Sequence, residues 1–391
     1  MTSALFGSFE FVHRTRVVVG ADSWRKSLAE AHGFGTRVLL VTGTSTLERL
    51  SLEEPLAAEA ARLGLLLERC LVPHEPDVAL ADHAAALARS SRAEVVLGIG
   101  GGSALDVAKA AAALCTNEGS ARSYLEGLPG PAPRPLLVPP LPVICVPTTA
   151  GTGSEVTKNA VLQVADARVK RSMRSDLLFP RSAFVDPTLS ARAPLAIRAG
   201  TGFDALTHLV EAFCSSNASP VTDALCRDGI TRIIRALRAL ASGSAGEAEA
   251  LDLALAGTLG GICLANAGLG AAHGLIAPLG GLYPNIPHGA GLACLLPATL
   301  TVNEAAARGA PRPSARLKEL AVLFGGATWS IAAVARELCE LRRALSLPGL
   351  GSYADVDIAL VIESPSGSLK TNPVPLDERE LRKILELSLD N

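Results

Sequence analysis

The sequence has no Cys-x-x-Cys pair, almost no net charge and no uninterrupted apolar run long enough to span a bilayer, and each absence removes a class of protein. The eight cysteines stand singly, at 70, 115, 145, 214, 226, 263, 294 and 339, mostly inside apolar runs. That spacing excludes a thiolate-clustered zinc site and a disulfide framework, and it reads as small buried hydrophobes in a reducing compartment. A formal charge of −2 leaves no global field for nucleic acid or an anionic membrane, so neither is expected as a partner. The one dense basic run, Arg168-Val-Lys170-Arg171-Ser-Met-Arg174, reads as a solvated face or a phosphate contact. The first ten residues lack a basic region followed by an apolar core, so no secretory leader is expected and the reading is cytoplasmic. There is no internal repeat and no low-complexity tail.

What is present is a chain of 391 residues, 49% hydrophobic and 19% charged, long enough for two domains with substantial cores. Strand-like runs at 16–20, 37–42, 67–72 and 94–98 alternate with helical stretches at 23–31, 47–66, 79–90 and 104–115. This alternation calls for a parallel sheet covered by helices. Prolines bracket another buried run at 142–147, where a sheet tolerates them. After Asp186-Pro187 the pattern turns helical: 204–214, 220–240, 247–268, 290–307, 314–324, 331–345 and 377–389. The expected division is an α/β domain at 1–190 and an all-α domain at 191–391.

Two loops in the first domain suit a nucleotide. Gly100-Gly101-Gly102-Ser103 leads from a strand into a helix that carries Asp106, and backbone N–H groups there suit a pyrophosphate. The same turn can serve packing alone. It lies near residue 100 instead of after the first strand, and it lacks the lysine of an ATP-type loop. The second loop holds Thr148, Thr149, Thr152 and Ser154, whose hydroxyls can bond ribose, phosphate or amide, although such turns are commonly just caps.

In the second domain Asp204 and His208 are four residues apart at helical spacing, so both project from one helix face. His273 and His288 are set among glycines, and the intervening Pro278, Pro284 and Pro287 rule out one continuous helix. One oxygen and three nitrogen donors form a plausible cage for Fe²⁺, Zn²⁺ or a similar ion, suited to Lewis-acid activation of an oxygen. Beside this stands a blander account, because a lone histidine on an apolar helix is more often a hydrogen-bonded core residue.

Gly100-Gly-Gly-Ser-Ala-Leu-Asp106-Val-Ala-Lys109, Pro147-Thr-Thr-Ala-Gly-Thr-Gly-Ser-Glu-Val-Thr157, Asp186-Pro187, Gly202-Phe-Asp204-Ala-Leu-Thr-His208 and the stretch from His273 to Gly289 together resemble the iron-activated, or group III, alcohol dehydrogenase family, from about residue 10 onward. The resemblance implies a Rossmann-like α/β dinucleotide-binding domain, an all-α metal-binding domain, and hydride transfer between NAD(P)(H) and an alcohol or carbonyl. It implies metal ligation by Asp204, His208, His273 and His288. It implies pyrophosphate binding by Gly100 to Ser103 supported by Asp106, cofactor contacts from Thr148, Thr149, Thr152 and Ser154, and a ribose contact from Lys170. A homodimer or larger homo-oligomer follows from the same resemblance.

Three departures bear on chemistry. Many relatives carry another histidine four residues after the third ligand, where this chain has Ala277. The stretch from His273 to His288 is one residue longer than usual around Pro284-Asn285. Gly43 stands where NAD-specific relatives commonly carry an aspartate that would repel a 2′-phosphate, which points to NADP(H) or dual use. Ala277, Leu279, Leu282 and Ile286 suggest an apolar lining for a small or medium uncharged alcohol or aldehyde. Two rival readings are a metal-independent reductase of the maleylacetate reductase type and a metal- and NAD-dependent sugar-phosphate cyclase. The intact ligand set opposes the first, and the scarcity of Lys and Arg around the ligands opposes the second.

Overall fold

The computed structural model describes residues 8–363 and 367–389; residues 1–7 of the N-terminal stretch read above for a leader lie outside them. One unit comprises His13–Thr149 and Gly153–Ala193, and the other comprises Met1–Val12, Ala150–Thr152 and Pro194–Asn391.

The first unit runs β1 (Arg16–Val19), α1 (Ser23–His32), β2 (Arg37–Gly43), α2 (Thr46–Arg49), α3 (Glu53–Arg62), β3 (Leu66–Val72), α4 (Val78–Ser90), β4 (Val95–Gly100), α5 (Gly102–Thr116), β5 (Val143–Pro147), β6 (Asn159–Val164), β7 (Val169–Arg174), β8 (Ser182–Val185) and α6 (Pro187–Ala191). Six strands form a parallel sheet in the order β1-β8-β5-β4-β2-β3. Successive residues of β2 feed opposite cores. Val38 and Leu40 pack with Leu97, Ile99 and Phe184, whereas Leu39 and Val41 pack with Val96, Leu105 and Ala108. A sheet covered on both faces makes its central strands continuously apolar, which is why β4 and β5 are readable as unbroken runs.

One feature of this unit differs from the sequence expectation. The helix expected over 47–66 is split: Ser51 adopts a left-handed φ of 54°, and Pro55 sits in the first turn of α3, where a missing N–H does no harm. The basic run at 168–174, read as a solvated face or a phosphate contact, lies in and just before β7, which pairs with β6 as an antiparallel hairpin. Its charges are met locally, Lys170 by Glu75 at 2.9 Å and Arg174 by Glu126 at 3.3 Å, while Arg171 donates to the Gly127 carbonyl.

The second unit has helices and no strand among its described residues: α7 (Leu195–Cys214), α8 (Pro220–Ala241), α9 (Glu247–Ala267), α10 (Ala271–Leu282), α11 (His288–Ala306), α12 (Pro311–Gly325), α13 (Ile331–Ala344), α14 (Ile358–Glu363) and α15 (Glu378–Leu389). Helix α7 starts nine residues before the segment at 204–214 that the sequence suggests, because Gly200 and Gly202 sit inside it for packing; a Cβ on Gly202 would stand 2.8 Å from Leu237. Helix α10 contains Pro278 and α11 begins directly at His288, so the two histidines do lie on separate helices. Only α9 among the described helices has the length and apolarity to cross a membrane; 56% of its apolar window is buried, and it packs on α7 and α8.

Candidate metal centre

Asp204 and His208 project from one face of α7, His273 is the third residue of α10, and His288 is the first of α11. The structure brings all four together around one oxygen. Asp204 Oδ1 lies 3.4 Å from His208 Nε2, 3.4 Å from His273 Nε2 and 3.8 Å from His288 Nε2. Donors arranged tetrahedrally around a first-row ion at ordinary bond lengths sit about 3.4 Å apart, so the spacing fits such an ion. The tightest group is Asp204, His273 and His288, whose ligand atoms all lie within 4.8 Å of one another. His208 joins through Asp204 and stacks on His273 with ring centroids 4.5 Å apart.

Close helix approach makes this convergence possible. A Cβ on Gly289 would stand 2.1 Å from the Gly200 carbonyl oxygen, so only glycine lets the first turn of α11 rest on α7 and carry His288 toward Asp204. Gly260 of α9 plays a similar part behind His208, where an added Cβ would meet that histidine's Cβ at 3.2 Å. His288 is the exposed member, with 38% of its side chain accessible against 7% or less for the other three.

Sequence reasoning missed Glu211, which follows Asp204 by two helical turns on the same face of α7 and is 4% exposed. Its Oε2 accepts from His273 Nδ1 at 2.7 Å, and its Oε1 accepts from the Ala272 amide at 2.7 Å. The signal was an acid at i+7 from an Asp/His pair on an otherwise apolar helix.

The electrostatics suit a dication. Burial would raise the Asp204 carboxyl, but the three histidines outweigh it and hold the group well below the carboxylate range. Burial pushes His208 down to about 4, which keeps its ring neutral as ligation requires. Burial also opposes charge on His273, yet its hydrogen bonds and attraction to Asp204 and Glu211 carry it up to about 9. Two buried carboxylates thus draw a proton to the place where a cation would neutralise them. His208 Nδ1 is buried with no hydrogen-bond partner among the described residues, so that ring is held by packing and by the contact of its Nε2 with Asp204.

In the α/β unit the expected cofactor residues divide. Gly101 caps α5, no side chain bonds the cap, and the first turn holds no acid, so the N–H groups at Gly102 and Ser103 suit an anion. Gly100 has a packing reason of its own, because a Cβ there would stand 2.6 Å from Ala104 Cβ. Thr149 borders Gly101, with Oγ1 3.3 Å from where a Cβ would be, and Thr148 donates its amide to Gly100 at 2.9 Å. Ser154 and Asp106 face each other: the Ser154 hydroxyl donates to Asp106 at 2.5 Å, and Asp106 also accepts from the Val161 amide. Fully buried Lys109 ties this network together through Asp106 at 3.0 Å and the Ser154 carbonyl at 2.9 Å. Gly43 ends β2, Thr152 falls in the short segment Ala150–Thr152 grouped with the helical unit, and Lys170 is paired with Glu75. Of the residues expected as substrate lining, Leu279 and Ile286 are buried in the helical unit, and Ala277 and Leu282 are partly covered.

A family profile described as iron-containing alcohol dehydrogenase matches residues 14–187, and one described as Fe-containing alcohol dehydrogenase family, C-terminal, matches residues 198–359. Long-chain-alcohol dehydrogenase 1 of Geobacillus thermodenitrificans is 40% identical over 284 residues, covering 71% of this chain and 69% of that protein. The 1,3-propanediol dehydrogenase of Klebsiella pneumoniae is 35% identical over 313 residues, covering 76% and 77%. The solved iron-containing alcohol dehydrogenase of Thermococcus thioreducens superposes with a TM-score of 0.86 at 25% identity, covering 97% of this chain and 99% of that one.

Proposed function

The chain belongs to the iron-containing alcohol dehydrogenase family, and on that premise we propose that Asp204, His208, His273 and His288 hold its metal while the head of α5 receives the pyrophosphate of NAD(P). The enzyme is an oxidoreductase interconverting alcohols and carbonyls. The observation that carries the ligand assignment is the convergence of three imidazole nitrogens from three helices on Asp204 Oδ1, at 3.4, 3.4 and 3.8 Å.

When bound, the ion supplies Lewis acidity to the substrate oxygen and the nicotinamide carries the hydride. The protein's own part is positional and electrostatic. Asp204 and Glu211 provide the buried negative charge that a dication needs, set against the positive N-terminal ends of α10 and α11. The N–H groups at Gly102 and Ser103, in the first turn of α5, would meet the phosphate oxygens of a bound dinucleotide, and Thr148 and Thr149 border that turn. Helix α10 carries no titratable side chain except His273, so with Ala277 in place of a second ring no imidazole of this helix relays a proton. A proton released there would pass to water.

Gly43 leaves the end of β2 without a carboxylate, which favours NADP(H) or dual use. The donor set accepts Fe²⁺ or Zn²⁺, with availability deciding. The substrate is a small to medium, largely uncharged alcohol or aldehyde. The same reading assigns the enzyme to the cytoplasm as a homodimer or larger homo-oligomer. These assignments are tested together by metal analysis of protein purified without oxygen and by NADPH and NADH oxidation against a panel of aldehydes, with and without added Fe²⁺ or Zn²⁺. Turnover by metal-free protein would move the enzyme to the maleylacetate reductase type.

A further inference from the structure

We propose that Glu211 is a positioning residue for the metal cage, fixing both the tautomer and the rotation of the His273 ring; this rests on the four-ligand reading above. The carboxylate grips His273 at more than one point. Oε2 accepts from the ring Nδ1 at 2.7 Å and lies 3.4 Å from the His273 amide, while Oε1 accepts from the neighbouring Ala272 amide at 2.7 Å. With Nδ1 committed as a donor, the proton of a neutral ring is on the far side from the cage, and Nε2, 3.4 Å from Asp204 Oδ1, keeps its lone pair for an ion bound beside that oxygen. Backbone and ring are therefore oriented by one rigid, buried group on the same helix that carries Asp204 and His208.

The start of α10 has a second cap that provides a control. Asn372 Oδ1 accepts from the Ala271 amide at 3.1 Å and is itself held by Asn303, whose Oδ1 accepts from Asn372 Nδ2 at 2.8 Å. Gly270 makes room for both caps, because a Cβ there would stand 2.9 Å from Asn372 Oδ1 and from Glu211 Oε1 alike. Both residues thus anchor the helix start, but the bonds of Asn372 to it are with backbone only. If Glu211 served merely to cap α10, the two would be equivalent for the metal.

The test measures Zn²⁺ affinity by chelator competition, and the visible absorption of bound Co²⁺, in full-length wild type, Glu211→Gln and Asn372→Ala. The amide of Glu211→Gln has one acceptor for three donors. It is expected to weaken Zn²⁺ binding by about 10- to 100-fold and to shift the Co²⁺ bands, whereas Asn372→Ala lowers Tm but keeps the affinity within about threefold. Should Glu211→Gln not fold, Glu211→Asp retains the charge but withdraws it by one methylene, and the same weakening is expected. Wild-type affinity and spectrum in the folded Glu211 variant, or an equal loss in Asn372→Ala, would overturn the positioning role. Wild-type protein that binds neither ion would overturn the four-ligand reading and this inference with it.

Discussion

The two candidate sites are built on opposite plans. In the helical unit the site is made of side chains, drawn from positions 204 to 288 and brought together by glycines that allow helices to touch. In the α/β unit the candidate phosphate site is made of backbone at one contiguous turn, and the polar side chains around it largely satisfy one another. The candidate metal cage holds two buried carboxylates, Asp204 and Glu211, beside three histidines, while the Asp106–Lys109–Ser154 network pairs its own charges. A substitution in the first plan should therefore act on chemistry, and one in the second on stability.

The largest expected effect comes from His273→Ala, which removes a proposed ligand and the partner of Glu211. Turnover should fall by at least about 10³-fold, in line with the several kcal/mol a Lewis acid supplies, while dinucleotide binding measured by NADPH fluorescence stays nearly unchanged. Loss of both together would erase the contrast between the two plans. Next is Lys109→Met, which strips the buried cation from Asp106 and from two backbone carbonyls. Thermal or denaturant unfolding should register a loss of about 3–5 kcal/mol with metal content in the folded fraction preserved.

Gly289→Ala sharpens the comparison, because its Cβ would meet the Gly200 carbonyl at 2.1 Å and must push α11 off α7. A destabilisation of about 1–3 kcal/mol accompanied by reduced metal occupancy is expected; full occupancy would mean that His288 does not depend on this contact. The smallest effect is that of Gly43→Asp. Its kcat/KM ratio for NADPH over NADH should fall by about tenfold or more through like-charge repulsion of a 2′-phosphate. A wild-type enzyme that already strongly prefers NADH would remove the basis for this expectation.

The parallel sheet and the helical second half are readable because strand and helix periods differ and the central strands are covered on both faces. Asp204 and His208 are readable because an i,i+4 pair shares a face, and His273 and His288 because glycines and prolines isolate them. Glu211 escaped notice because its role depends on where α10 begins, and Pro278 with the glycines of 274–281 disguises that helix. The β6–β7 hairpin was hidden for a related reason: its paired charges look like a solvated run until Glu75 and Glu126 are brought beside them by the fold.

The most direct test of the account is the metal dependence of turnover in protein purified without oxygen, followed as NADPH and NADH oxidation by aldehydes with Fe²⁺ or Zn²⁺ restored to chelator-treated enzyme. The account predicts about one ion per chain and activity that disappears with chelation and returns with the ion. Undiminished turnover by metal-free protein would contradict it.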